Sequence, residues 1–283
     1  MKEYKFTVFT PCFNGAETIY RVFESMRNQT YDNWEWIIIN DGSTDDSDKV
    51  INDFIQIIGK DKINYIIQDN KGKHMAWNRA ICLATGDFFV PADCDDSFVP
   101  ETLEFFNEKA NDLRGGEFCD SDLSGISVLC FDPQTRGIIG TPYPEDGIIS
   151  DDIELRYRFQ VKGEKWGCVR VNLLKQRQFP EFKSKFYCED YLWYYFPLVG
   201  YRKANYNKKI RAYFYEPMSL TNNVSFRLSL EMAAMFVDYL WWKLRKAGPV
   251  ILKYSAIGYL RLLFDFAQSL LKWVILAIFR KER

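Results

Sequence analysis

A chain of 283 residues holds one domain of ordinary size plus an appendage and buries a sizeable core. Its 37 Lys and Arg against 38 Asp and Glu give a formal net charge of -1, so no global field draws it to nucleic acid. Seven scattered cysteines (Cys12, Cys82, Cys94, Cys119, Cys130, Cys168, Cys188) form no C-x-x-C pair, and the single histidine is His74, so a zinc site is not expected.

In chain order, residues 5–10 (KFTVFT) form a β-branched and aromatic run stopped at Pro11 and Gly15, which reads as a buried strand and a loop. Residues 17–28 follow at helical spacing, with Ile19, Val22, Phe23 and Met26 on one face. Trp34–Asn40 reads as a second strand, closed by the turn Asp41-Gly-Ser-Thr-Asp45, and 46–59 as a second helix. A third strand fits 63–67, a helix 74–84, and a fourth strand 87–91 that runs into Ala-Asp93-Cys-Asp95-Asp96. This alternation predicts an α/β fold with a mostly parallel sheet flanked by helices. Short strands are expected at 126–131, 136–140 and 167–171, a long polar loop able to move over a ligand at 141–165, a helix at 189–199, and strands at 201–206 and 210–215.

Ligands of open parallel sheets sit outside the carboxyl ends of the strands. Three polar signals fall there: Thr10–Asn14, Asp41–Asp45 and Asp93–Asp96. Packed carboxylates repel and desolvate one another, and a hard divalent ion such as Mg2+ or Mn2+ with diphosphate oxygens removes that cost. The plainer reading of Asp93-x-Asp95-Asp96 is an acidic cap, through Asp96 or Ser97, for a helix at 100–110. Asp41 is either a turn residue or an acceptor for a base N–H, with Thr10 and Pro11 shaping the opposite wall. Lys71 and Lys73 are placed to balance phosphate charge or are surface lysines. His74 reads as a cap or surface residue before it reads as a ligand. Glu189-Asp190 opens an aromatic helix, either as a simple cap or with Asp190 as a general base for an acceptor hydroxyl.

Thr10-Pro-Cys-Phe-Asn14 together with Asp41-Gly-Ser-Thr-Asp45 resembles the donor-binding start of family 2 glycosyltransferases of the GT-A fold. Residues 70–78 (NKGKHMAWN) resemble that family's third block, Asp93-Cys-Asp95-Asp96 its D-x-D motif, and Glu189-Asp190 its later E-D pair. The resemblance covers about residues 5–216. It implies a nucleotide-diphospho-sugar transferase-like domain over 1–220 with a helical extension over 221–283. It also implies an inverting transfer from a nucleoside-diphosphate sugar, UDP being the expected carrier, to a glycan or lipid-linked hydroxyl in surface-polysaccharide synthesis. By the same resemblance the donor-binding residues are Thr10, Pro11, Asn14, Asp41, Lys73 and Asp93, with Thr10 and Asp41 on the base and Asp93 on the ribose. Asp95 holds Mn2+ or Mg2+, and Asp190 is the catalytic base. The third block often carries an arginine where this chain has Lys73, His74 or Trp77.

The last stretch changes character. Residues 226–247 read as an amphipathic helix ended by Gly248-Pro249, and 250–279 as a helix whose polar residues 258, 261, 265, 268 and 272 line one stripe of a wide apolar cylinder. Arg261, Asp265 and Lys272 interrupt any clean membrane span. The expectation is a helix lying in the cytoplasmic leaflet, on the inner face of the plasma membrane, with a domain-covering or homodimer helix as the alternative. No secretory signal precedes Phe6, which with an odd cysteine count suggests reduced thiols in a cytosolic compartment. Two further readings compete: a non-catalytic protein that binds sugar nucleotides or glycans, and, more distantly, a nucleotidyltransferase, for which Thr10–Gly15 lacks a basic glycine-rich loop.

Overall fold

The structure, a computed structural model, describes residues 2–114, 122–181, 188–214 and 230–281. Cys119, Glu216, the expected helix start at 226–229 and the terminal Glu282 and Arg283 lie outside the described residues. The described chain divides into two compact units: 1–149 with 162–179 and 202–214, and 150–161 with 180–201 and 215–283.

The first unit is built on a sheet whose strands are β1 (Phe6–Cys12), β2 (Trp34–Asn40), β3 (Ile63–Ile67), β4 (Phe88–Pro91), β5 (Ser97–Phe98), β6 (Leu123–Phe131), β7 (Ile148–Ser150), β8 (Lys165–Arg170) and β9 (Arg202–Ala212). Their order is β3-β2-β1-β4-β8-β6-β9-β5, with β7 added on β9. The four strands of the N-terminal half pair in parallel, as the strand–helix alternation requires. β8 then pairs antiparallel with both β4 and β6, while β6 and β9 are again parallel, so the expected parallel half is extended into a mixed sheet. The expected strand at 136–140 is reduced to one bridge, Phe131 with Ile138, and the two expected strands at 201–206 and 210–215 are one strand, β9.

Both faces of β1 and β2 are covered, which is why these strands read as unbroken apolar runs. On one face α1 (Tyr20–Arg27) and α2 (Ser47–Ile58) bring Phe23 and Phe54 into a stack at 4.1 Å over fully buried Trp36. On the other, Trp77 of α3 (Lys73–Leu83) meets Phe9 at 5.9 Å and Phe89 at 5.0 Å. Each such aromatic or aliphatic side chain contributes about 1.5–3 kcal/mol on burial. α4 (Thr102–Arg114) adds Phe106 to the first face. Strand order 2-1-4 means that the chain reverses direction across the sheet at β1, and the crevice this opens lies at the carboxyl ends of β1 and β4.

The second unit is helical. It contains α5 (Asp152–Tyr157), two short turns α7 (Asp190–Trp193) and α8 (Tyr195–Leu198), and then α9 (Leu230–Lys246), α10 (Gly248–Tyr254) and α11 (Ala256–Lys281); α6 (Val171–Gln176) belongs to the first unit. Ile153, Tyr191, Tyr194, Tyr239, Leu244, Ile251 and Leu262 form its core. The mobile loop expected over 141–165 is corrected by this packing. Asp151 accepts from the N–H groups of Ile153 and Glu154, both at 2.9 Å, and so caps α5, while Ile153 and Leu155 are buried. The single helix expected at 189–199 is broken into α7 and α8. A break does fall at Gly248-Pro249, but a new helix starts there, because proline suits a first helical turn. Among the described residues, no helix is long and apolar enough to cross a membrane.

Candidate active site

The loops that follow β1, β2, β3 and β4 are tied to one another at the carboxyl edge of the sheet. Asn14 sits at φ 51°, a conformation asparagine tolerates. Its N–H donates to Ser43 Oγ at 2.9 Å and its Oδ1 accepts from the Thr44 N–H at 2.8 Å, joining the first loop to the second. Gly42, at φ 77°, lets the second loop touch the third, since a Cβ there would lie 2.8 Å from the Asn70 nitrogen. Asp41 completes this bridge. Its buried carboxylate accepts from Gln68 Nε2 at 2.7 Å, the Lys71 N–H at 2.9 Å and the Gly72 N–H at 2.8 Å. Asp41 is therefore more than a turn residue: it organises the β3–α3 loop just ahead of Lys73.

Lys73, at the start of α3, reaches across to Asp93 at 2.8 Å. Lys71 is exposed, which makes it the surface lysine of the two. His74 is buried rather than at the surface, and burial holds its imidazole below the ordinary histidine range against the opposing charge of Asp41. Thr10 is also fully buried, and its hydroxyl accepts from Trp36 Nε1 at 2.9 Å. The Thr10 side chain thus fastens β1 to β2.

Asp93, Asp95 and Asp96 each offer an oxygen within 4.8 Å of the other two. The capping alternative for Asp96 is not what the structure shows. Asp96 is buried and paired with Arg211 of β9, whose guanidinium also stands 3.7 Å from Asp93 and 3.4 Å from Glu164. Burial and the neighbouring Asp93 and Asp95 charges push the Asp96 carboxyl up to about 7 against the pull of Arg211. Burial acts on Asp93 in the same sense, but the Lys73 and Arg211 charges overcome it and hold this carboxyl below the usual range. Asp95 is different. Its carboxylate accepts no hydrogen bond from any other described residue, and burial together with the Asp93 charge raises its pKa. Its main-chain carbonyl is held by Arg21 Nη1 at 2.8 Å.

Asp93 is paired with Lys73 and Asp96 with Arg211, and Asp95 is the member of the cluster without such a pairing. An all-oxygen donor set with one unpartnered carboxylate fits a hard divalent cation such as Mn2+ or Mg2+. Arg211 was not singled out in the sequence, where it is one of five basic residues between 202 and 211 and carries no local signal.

Asp190 belongs to the second unit. Neither it nor Glu189 caps a helix through its side chain. Instead Asp190 Oδ2 receives the Tyr239 hydroxyl and Lys243 Nζ, the latter at 2.8 Å. Burial raises the Asp190 carboxyl, but the Lys243 charge, both hydrogen bonds and the Arg156 charge outweigh it and hold it below the usual range. Lys243 had a signal in the sequence that was missed: a lone cation among Tyr239, Leu240, Leu244 and Ala247 on the core-facing stripe of α9.

A mixed α/β sheet with these loops at its carboxyl edge and a compact acidic cluster after β4 has the architecture of the GT-A fold. The fold matches that of Staphylococcus aureus TarS, solved in complex with UDP-GlcNAc, with a TM-score of 0.65 at 18% identity, over 94% of this chain and 81% of that one. It also matches the mannosyltransferase PcManGT of Pyrobaculum calidifontis, solved with GDP-Man and Mn2+, with a TM-score of 0.61 at 16% identity, over 97% and 76% of the two chains. Residues 7–121 match the family model described as glycosyl transferase family 2.

Among curated relatives, TuaG of Bacillus subtilis, assigned as a teichuronic acid biosynthesis glycosyltransferase, is 26% identical over 183 residues, which is 63% of this chain and 67% of TuaG. Other relatives that are 33 to 36% identical are matched over only 15 to 36% of their own length.

Proposed function

We propose that this protein is a metal-dependent, inverting glycosyltransferase that moves a sugar from a nucleoside-diphosphate sugar, UDP-linked in the first instance, to a hydroxyl of a glycan or lipid-linked acceptor in cell-surface polysaccharide synthesis. The observation that carries the reading is the unpartnered Asp95 carboxylate inside the Asp93–Asp95–Asp96 cluster, beside loops ordered by Asp41 and Asn14. TarS with UDP-GlcNAc and the teichuronic acid assignment of TuaG support the donor class and the setting.

Asp95, with Asp93 beside it, would hold Mn2+ or Mg2+, which supplies positive charge against the diphosphate leaving group. In this reading the wall from Thr10 and Pro11, with Asn14 and Asp41, positions the nucleoside, and Asp93 contacts the ribose. Lys73 and Arg211 bring fixed positive charge to the same cluster, where departing phosphate oxygens gain negative charge. In this reading Asp190 is the base. Its ionised carboxylate takes the acceptor O–H proton while that oxygen bonds the anomeric carbon and the bond to the diphosphate oxygen breaks. A single displacement inverts the anomeric centre.

The surface of α11 supports placement at the inner face of the plasma membrane. Ile257, Leu260, Phe264, Leu271, Ile275 and Ile278 are exposed, and Arg261 and Lys272 flank them.

The test is nucleoside-diphosphate release from UDP-, GDP- and dTDP-sugars with Mn2+, comparing wild type, Asp95→Asn and Asp190→Asn. Release by the wild type that both substitutions remove is the expected result. Donor binding without release in all three proteins overturns the enzyme reading in favour of a sugar-nucleotide binding protein.

A further inference from the structure

We propose that Lys243 and Tyr239 of α9 are positioning residues for Asp190. This rests on the reading of Asp190 as the base.

Three groups meet at a single oxygen. Lys243 Nζ lies 2.8 Å from Asp190 Oδ2 and 2.8 Å from the Tyr239 hydroxyl, and that hydroxyl donates to the same Oδ2. Among the described residues no hydrogen bond is made to Oδ1, so one oxygen is anchored twice and the other is left to accept a proton. Lys243 and Tyr239 stand four residues apart, one above the other on the same face of α9. A single rigid helix therefore fixes both anchors.

Stability alone is a poor reason for this arrangement. The Lys243 side chain is 7% exposed, with its ammonium 4.2 Å above the Tyr194 ring and with Leu240, Leu244 and Ala247 nearby in the core. Taking a lysine and a carboxylate out of water costs several kcal/mol, and apolar residues of similar size would fill such a core at less cost. What the pair does supply is a carboxylate held ionised in one orientation within an apolar surround.

The charged and titratable groups that interact with Asp190 are Arg156 from α5, Cys188 and Tyr194 from its own segment, and Tyr239 and Lys243 from α9. The Lys243 charge lowers the Asp190 pKa more than any other neighbour, with Arg156 a weaker contributor of the same sign. Replacing Lys243 by a neutral residue therefore raises the Asp190 pKa, and the acidic limb of the rate profile moves to higher pH.

The experiment measures donor hydrolysis with Mn2+, using the nucleotide sugar that the donor screen finds active, across pH for wild type, Lys243→Met, Lys243→Arg, Tyr239→Phe and Asp190→Asn. In parallel, the Asp190 carboxyl carbon is titrated by NMR. Lys243→Met is expected to lower kcat by about tenfold or more with little change in the donor KM, and to raise both the acidic limb and the Asp190 midpoint by about one pH unit. Lys243→Arg restores both, and Tyr239→Phe, which deletes one oxygen and keeps the ring, shifts them partway. An unmoved NMR midpoint and acidic limb in Lys243→Met and Tyr239→Phe, with Asp190→Asn inactive, overturns the positioning role and leaves the base in place. Full activity of Asp190→Asn overturns the base assignment and this inference with it.

Discussion

Asp96, the last carboxylate of the acidic run after β4, is bound by Arg211 of β9, a partner 115 residues further along the chain. The pair is buried at both ends, so each group depends on the other for its charge to be tolerated. Arg211 also approaches Asp93, and with Lys73 it leaves Asp95 as the member of the cluster without a protein cation. The contact thus separates one structural carboxylate from the one available to a ligand.

Replacing Arg211 by Met strands Asp96 in the core, and breaking a buried pair in this way costs about 3–5 kcal/mol. Denaturant unfolding of Arg211→Met should show that loss, and Arg211→Lys a smaller one. Without its cation Asp96 protonates more readily when folded than when unfolded, so the deficit grows as pH rises through neutrality. Wild-type stability in Arg211→Met would show the pair to be incidental.

Asp95→Asn should leave the fold alone, because no other described residue bonds that carboxylate. Donor affinity measured by calorimetry with Mn2+ is expected to fall by about 100-fold, the scale seen when one electrostatic contact of an active site is removed. Equal affinity with and without Mn2+ in the wild type would place the metal elsewhere or dispense with it.

Gly15 packs against two thiols. A Cβ there would lie 3.0 Å from Cys94 Sγ and 3.1 Å from Cys12 Sγ. Gly15→Ala therefore pushes the first loop against the loop carrying Asp93 and Asp95, with an expected loss of about 1–3 kcal/mol. Thermal unfolding and donor binding should weaken together, and a change in neither would show that the thiols simply move aside.

Glu35 offers a pH test away from the site. Burial raises its carboxyl, but bonds from the Thr7 and Thr85 hydroxyls, the Thr85 N–H and Lys5 together lower it below the usual range. A lowered carboxyl contributes stability above its unfolded value and loses it as pH falls through the folded value. Wild type should therefore lose stability in acid below the ordinary glutamate range, and Glu35→Gln should be weaker at neutral pH with a flatter acid limb. Parallel acid limbs for the two proteins would contradict this.

The exposed face of α11 predicts binding to vesicles containing anionic lipid, weakening as salt rises because Arg261 and Lys272 act through screened charge. Co-sedimentation of the double variant Ile257→Asp, Phe264→Asp should fall at least tenfold, since each change puts a charge where about 1.5–3 kcal/mol of apolar burial is expected. If the variant instead loses self-association and never bound vesicles, the face is an interface between copies of this chain.

Much of the first unit was legible in the linear pattern. The apolar runs at 6–12, 34–40, 63–67 and 88–91 and the helical spacing between them specify a parallel sheet through local periodicity alone. The carboxyl-end rule then places Asp41, Asp93 and Asp95 on one edge. Where reading failed, the deciding contact lay far off in sequence. Strand β8 turns the sheet mixed by pairing with β4 and β6, and α5 leaves the expected loop because Ile153 joins a core shared with α9 and α10. Which carboxylate is free and which is spoken for is settled by Arg211, Lys73 and Lys243, cations whose sequence neighbours give no hint of their partners. Periodicity is a property of neighbours along the chain, whereas charge compensation is a property of neighbours in space, and only folding brings the second kind together.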